Sequence, residues 1–285
     1  MPTDPRALSE AAHLHFVVPA SARASFADLQ ASVHAAERSG WAAVLVETGP
    51  GALEPITALA ALASTTARIG LVAEIDPLVT PPYTAARRLA ALDHISGGRA
   101  GWRVRVHDNR AQRAEYAQVL RALWDSWLPD AHRFDKREGL YVDTARVRRV
   151  DFAGEHFAVA GPLDIPRPPQ RHPVLYGAGD DAVSDDAVSD GGVSVDADLR
   201  SGEAAGALQA ADGWAACKAL RPRGTRTDAR PLHYLLVPTD QPERWPAQLA
   251  ALNRQSTEAL GTAASTLRDR WQIPLPLTGE THDVE

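Results

Sequence analysis

Arg103, Arg105 and His107 alternate along the run Arg103-Val104-Arg105-Val106-His107, and Arg110 follows closely. In a strand, residues two apart share a face, so Arg103 and Arg105 point the same way. Guanidinium groups gathered on one face bind oxyanions bidentately, which makes this run a candidate anion site. Glu74 and Asp76, at the end of a neighbouring apolar run, offer a different outcome. An unpartnered buried carboxylate is costly, so the same arginines can instead form ion pairs that neutralise the pocket. The residues alone leave both readings open. His13 and His15 share a face of the first apolar run and are placed toward the pocket mouth. No Cys, Asp or Glu stands beside them at a metal-ligand spacing, so no metal site is read there. Gly177-Ala178-Gly179 suggests a nucleotide loop, but a lone Gly-x-Gly is weak evidence.

The elements that must position these groups alternate from the start. Short apolar runs at 13–18, 41–46, 69–75 and 100–106 read as strands. Between them, helical spacing appears at 25–39 with Ser25 as cap, then at 55–67, 84–95 and 110–127. Strands that are apolar throughout and separated by helices imply a parallel sheet covered on both faces. Four such units in the first 130 residues favour a (β/α) barrel over a sandwich. Residues 146–151 and 156–160 read as a β-hairpin inserted at about 142–162. Residues 161–170 are a stiff proline-rich connector. Further strands are expected at 173–179, 192–197 and 232–237, and a helix at 245–260. A tandem acidic pentapeptide, 181–185 and 186–190, reads as a loop at about 180–191. No regular eighth strand is recognised, since 272–277 holds two prolines. Residues 1–285 are expected to form a single barrel domain.

Composition narrows the function classes. The chain has 285 residues, is 45% hydrophobic and 23% charged, and can bury a sizeable core. Its net charge of −6 and the lack of a Lys/Arg block argue against nucleic acid or an anionic membrane as partner. The single cysteine, Cys217, excludes an intramolecular disulfide, is read as a small apolar residue and fits a reducing cytoplasm. The N-terminus lacks the basic start and apolar core of a signal peptide, and no apolar stretch approaches the ~20 residues of a membrane helix.

One segment is more specific than the rest: Leu92-Asp93-His94-Ile95-Ser96-Gly97-Gly98-Arg99-Ala100-Gly101-Trp102. It reads as a helix end, where His94 caps, then a glycine turn and the start of a buried strand. Pro81-Pro82-Tyr83-Thr84-Ala85-Ala86-Arg87-Arg88 precedes it and Leu123-Trp124-Asp125-Ser126-Trp127 follows it. Next come Gly154-x-x-Phe157-x-Val159-x-Gly161-Pro162-Leu163 and Pro168-Pro169-Gln170-x-x-Pro173-Val174. Together, in this order, these motifs resemble the flavin-dependent monooxygenases related to bacterial luciferase. The resemblance is greatest to the branch that oxidises nitrilotriacetate and dibenzothiophene sulfone.

The resemblance implies a luciferase-like (β/α)8 TIM barrel, shortened here. It implies oxidation of a small organic substrate by O2, with reduced FMN delivered by a separate flavin reductase. It places the cofactor near Glu74, Arg103, Arg105, His107, Arg110, Gly177 and Gly179. The chain departs from the branch at several of these positions. Arg103 stands where the branch carries a flavin-binding Asn, and Arg110 where it carries Tyr. Gly177-Ala178-Gly179-Asp180-Asp181 replaces a segment whose Ser holds the flavin phosphate, and two carboxylates there repel a dianion. The branch's acidic residue closing strand two falls near Glu47. Members are also longer, chiefly after strand four and between 237 and 267. The alternative is therefore a non-catalytic homologue that has lost flavin and acts as a subunit or binds a small anion. An open barrel edge needs cover, which implies a homodimer or a heterodimer with a full-length homologue. Trp102, Trp124 and Trp127 are read as core and interface aromatics.

Overall fold

Clean alternation of side chains along four strands organises the architecture. The computed structural model describes residues 13–20, 24–105, 109–177, 199–201, 214–222, 233–238, 242–251 and 266–271. Strands β1 (His13–Val18), β2 (Ala43–Val46), β3 (Gly70–Ile75) and β4 (Ala100–Val104) alternate with four helices. These are α1 (Phe26–Arg38), α2 (Pro55–Ala63), α3 (Pro82–Ser96) and α4 (Arg110–Asp125). Phe16, Val44, Leu71, Ala73 and Trp102 join the cluster packed against the helices. Val17, Ala43, Leu45 and Val72 form a second, inner cluster with Val174 and Tyr176. Period-two burial on both faces is what a helix-covered sheet requires.

The remaining strands are β5 (His132–Asp135), β6 (Leu140–Val142), β7 (Phe152–Ala153), β8 (Ala158–Val159), β9 (Val174–Tyr176), β10 (Leu199–Ser201), β11 (Trp214–Pro222) and β12 (His233–Pro238). Eight strands close a barrel in the ring order β1-β2-β3-β4-β9-β10-β11-β12, with β12 back beside β1. The barrel expectation holds, and the missing eighth strand is corrected. The ring is complete, but β11 runs antiparallel to both neighbours. Its sequence, Trp214-Ala-Ala-Cys217-Lys218-Ala-Leu220, lacks the β-branched residues that mark strands. The expected strand at 192–197 and the acidic repeat lie outside the described residues.

The inserted hairpin is present as β7 paired with β8, but its first strand is displaced: residues 146–151 form no strand, Val147 makes an isolated antiparallel bridge with Trp127, and β5 with β6 forms a second hairpin. Asp151 adopts φ +44° with its N–H on the Ala160 carbonyl, and Arg148 N–H donates to the Ser126 carbonyl in the bridge between Trp127 and Val147.

The Leu92-to-Trp102 segment proves to be a structural hub. Gly97 ends α3 in the left-handed conformation at φ 66°. Gly98 has φ 84°, and a Cβ there would lie 2.8 Å from Thr266 Cγ2. Asp93, wholly buried, accepts from Ala100 N–H at 3.1 Å, Gln170 N–H at 3.1 Å and Gln170 Nε2 at 2.6 Å. Burial pushes its carboxyl up to about 6 against the downward pull of those donors. Arg99 donates to Ser96, Ile69, Ala63 and Thr66, joining α2, β3 and the α3 turn. His94 does not cap its helix; its Nε2 lies 3.2 Å from the Pro166 carbonyl oxygen. Trp102 and Trp124 are buried and pack edge to face at 5.7 Å, as expected of core aromatics. Helices α5 (Trp245–Ala251) and α6 (Leu267–Arg270) complete the described fold.

Candidate functional site

Parity along β3 and β4 sets the site. Glu74 and Arg103 pair in register, and both fall on the inward parity that Val72 establishes one step earlier. Arg103 Nε donates to Glu74 Oε2 at 2.8 Å, and its Nη2 contacts the same oxygen and also Glu47 Oε1 at 2.8 Å. Glu47 directly follows β2, so three adjacent strand ends contribute to one network. Its second oxygen accepts from Ala20 N–H at 3.4 Å, while Glu74 Oε1 accepts from Thr48 N–H at 3.3 Å. Of the two readings left open, the ion pair holds for Arg103. Two carboxylates share one guanidinium, and Arg103 is engaged. Asp76 closes its own turn by accepting from Leu78 N–H at 2.9 Å.

Arg105 behaves differently. Its Nη1 donates to the Thr48 carbonyl oxygen at 2.7 Å. Arg105, Glu74, Asp76 and Thr48 line a cavity of about 650 Å³, with Ile56 and Val79 on its apolar side. The cavity lies where β2 and β3 end and their loops begin, the end at which parallel barrels carry chemistry.

The other expected positions separate. Arg110 begins α4, with its Nε and Nη2 buried and without a hydrogen-bond partner among the described residues. Gly177 is buried just beyond β9. His107 and Gly179 lie outside the described residues. His15 is not at the mouth: it is fully buried, paired in register with Ala43 and 5.0 Å from the Trp271 ring. Its Nδ1 lies 3.1 Å from the Tyr176 hydroxyl, whose pKa burial raises well above the ordinary value. Trp271 and Leu267 come from the α6 segment, whose bonds go to residues preceding β4 and β9, so this pair sits toward the barrel floor. Sequence reasoning placed the histidine on the correct face but at the wrong height. No group of three His, Cys, Asp or Glu suited to a metal is found among the described residues. No helix there is long and apolar enough to cross a membrane.

Comparison with known proteins agrees with this geometry. A family profile described as luciferase-like monooxygenase matches residues 11–216. One component of the pristinamycin IIA synthase of Streptomyces pristinaespiralis is 39% identical over 163 residues, covering 55% of this chain and 59% of its own length. Nitrilotriacetate monooxygenase component A of Aminobacter aminovorans is 43% identical over 145 residues, covering 45% and 32%. Dibenzothiophene-sulfone monooxygenase of Rhodococcus erythropolis is 40% identical over 149 residues, covering 46% and 33%. The chain thus spans from 32% to 59% of the length of these curated relatives. Among solved structures, a riboflavin lyase with modified FMN and substrate riboflavin aligns with a TM-score of 0.54 at 25% identity, covering 59% of this chain and 50% of its own. A long-chain alkane monooxygenase has the same fold, with a TM-score of 0.53 at 20% identity, covering 59% and 52%. With its profile match spanning most of the sequence and its strands closing a barrel, the chain belongs to the luciferase-like monooxygenase family.

Proposed function

We propose that this chain is a flavin-dependent monooxygenase that uses reduced FMN, supplied by a separate reductase, and O2 to oxidise a small organic substrate. The cavity at the ends of β2 and β3 carries the reading, because its volume of about 650 Å³ suits a cofactor or substrate and it combines apolar and charged walls. Of the expected cofactor set, Glu74 and Arg105 line this cavity. Arg105 brings positive charge there, and Gly177 lies buried just beyond β9. Arg110, His107 and Gly179 complete the proposed cofactor set. Glu74 lines the cavity, and Arg103 is held against Glu74 and Glu47 instead of acting as a free donor. When bound, FMN supplies O2 activation and oxygen transfer; the protein supplies binding, orientation and exclusion of water. We read residues 1–285 as one barrel domain working in the cytoplasm. Its assembly is read as a homodimer or a heterodimer with a full-length homologue.

One observation favours a second reading. Arg103, in the position of a flavin-binding amide, is locked between Glu47 and Glu74, as expected of a homologue that has lost flavin. Titration of the purified chain with oxidised and photoreduced FMN, followed by flavin fluorescence and absorbance, separates the two. Catalysis requires saturable binding at roughly micromolar Kd. Absence of binding at roughly a hundredfold higher FMN would leave the non-catalytic reading standing.

A further inference from the structure

Arg105 is set apart from the other charged groups of the cavity. Among the described residues its partner is a neutral one, the Thr48 carbonyl oxygen, and no carboxylate is in contact with it. The carboxylates on the same wall are already engaged. Glu74 binds Arg103, and Glu54 faces Arg88 at 3.6 Å while accepting from Thr57 N–H at 2.7 Å. Asp76 accepts from Leu78 N–H. The same cavity is also lined by the apolar residues Ile56, Val79 and Pro81, and Val79 is left 77% exposed. A half-buried guanidinium that makes no ion pair among the described residues, in a cavity that also has apolar walls, is complementary to an amphiphilic anion.

We propose that this cavity binds a small organic monocarboxylate, its carboxylate on Arg105 and its apolar body against Ile56, Val79 and Pro81. One negative charge is matched there, and a second would face Glu54, Glu74 and Asp76. The inference names a substrate class for the oxidation proposed above and rests on that reading for the reaction; it gives Arg105 to the carboxylate and leaves the rest of the cofactor set to the flavin, and the binding itself needs no flavin.

Isothermal titration of the whole chain with benzoate and hexanoate tests it, with citrate as a multiply charged comparison. Saturable one-to-one binding of a monocarboxylate is expected, weakened about tenfold or more in Arg105→Ala and Arg105→Gln. Arg149→Ala, which alters an exposed arginine paired with Asp151 on the surface, is expected to bind as the parent does. Two neutral variants are used so that misfolding of one leaves the other to decide. Unchanged affinity in a folded Arg105 variant, citrate binding tighter than benzoate, or no heat of binding up to about 10 mM ligand would each overturn the proposal. FMN titrated in parallel distinguishes the failures. Carboxylate binding without FMN binding defeats the flavin reading alone, and the reverse result defeats this one alone.

Discussion

Arg103 carries two carboxylates, so its removal exposes both to each other. Arg103→Leu is expected to destabilise the fold by about 3 kcal/mol, since buried Glu74 and half-buried Glu47 would be left uncompensated. Adding Glu74→Gln should recover part of that loss, a coupling that urea denaturation of the single and double variants measures. Asp93 gives a prediction in pH. Its carboxyl is pushed up to about 6 in the folded chain, against an unfolded value near 3.8. Between those values the folded state holds a proton that the unfolded state has lost. Its contribution is therefore fully present below about 3.8 and fades as pH rises through about 6. The difference in stability between the parent and Asp93→Asn should change over this window and level off above it, as chemical denaturation at a series of pH values would reveal. Part of the site was legible at this scale. Strand parity alone put Arg103, Arg105 and Glu74 on one wall, but it could not show that Arg103 would be neutralised and Arg105 left with a carbonyl. That choice depends on Glu47 and Thr48, brought in from another strand by the barrel's register.

Elements are tied together by carboxylates that grip runs of backbone amides. Glu37 at the end of α1 accepts from the N–H groups of Ala67, Arg68 and Ile69 through one oxygen, fixing the entry to β3. Glu115 of α4, using both carboxylate oxygens, accepts from Glu155, His156 and Phe157 N–H in the β7–β8 turn. A Cβ on Gly154 would sit 2.1 Å from Glu115 Oε1, so only glycine lets the turn close over that carboxylate. Gly154→Ala is expected to cost about 2 kcal/mol, lowering the thermal midpoint by roughly 4–8 °C at the scale of a domain this size. If the midpoint is unchanged, the clasp contributes nothing to stability. The first four strands and helices were legible in the sequence because each has strong periodicity and a cap or breaker, as with Ser25 and Gly97. The sequence was silent on β5 and β6, whose residues are largely exposed and carry no apolar alternation. It was silent on β11 as well, whose alanines and lysine carry neither β-branched residues nor apolar alternation.

The whole molecule depends on contacts that span its length. α6 seals the floor: Leu267 N–H donates to the Gly98 carbonyl, and Arg268 reaches the His172 carbonyl and the Gln170 side chain. Gly98→Ala would push against Thr266 at a position with φ 84° and should release this helix. Faster proteolysis within 266–271, with the other described residues cleaved as in the parent, is the expected outcome. Equal cleavage of parent and variant would show that the floor does not depend on this glycine. The ring itself closes only when β1 meets β12, with His13 paired to His233. Those residues are 220 positions apart (233 − 13), and a ribosome adding about 5–20 residues per second needs roughly 10–45 s to cover that distance. Throughout that interval the free edge of the first strand waits without its partner, open to any other strand that arrives sooner.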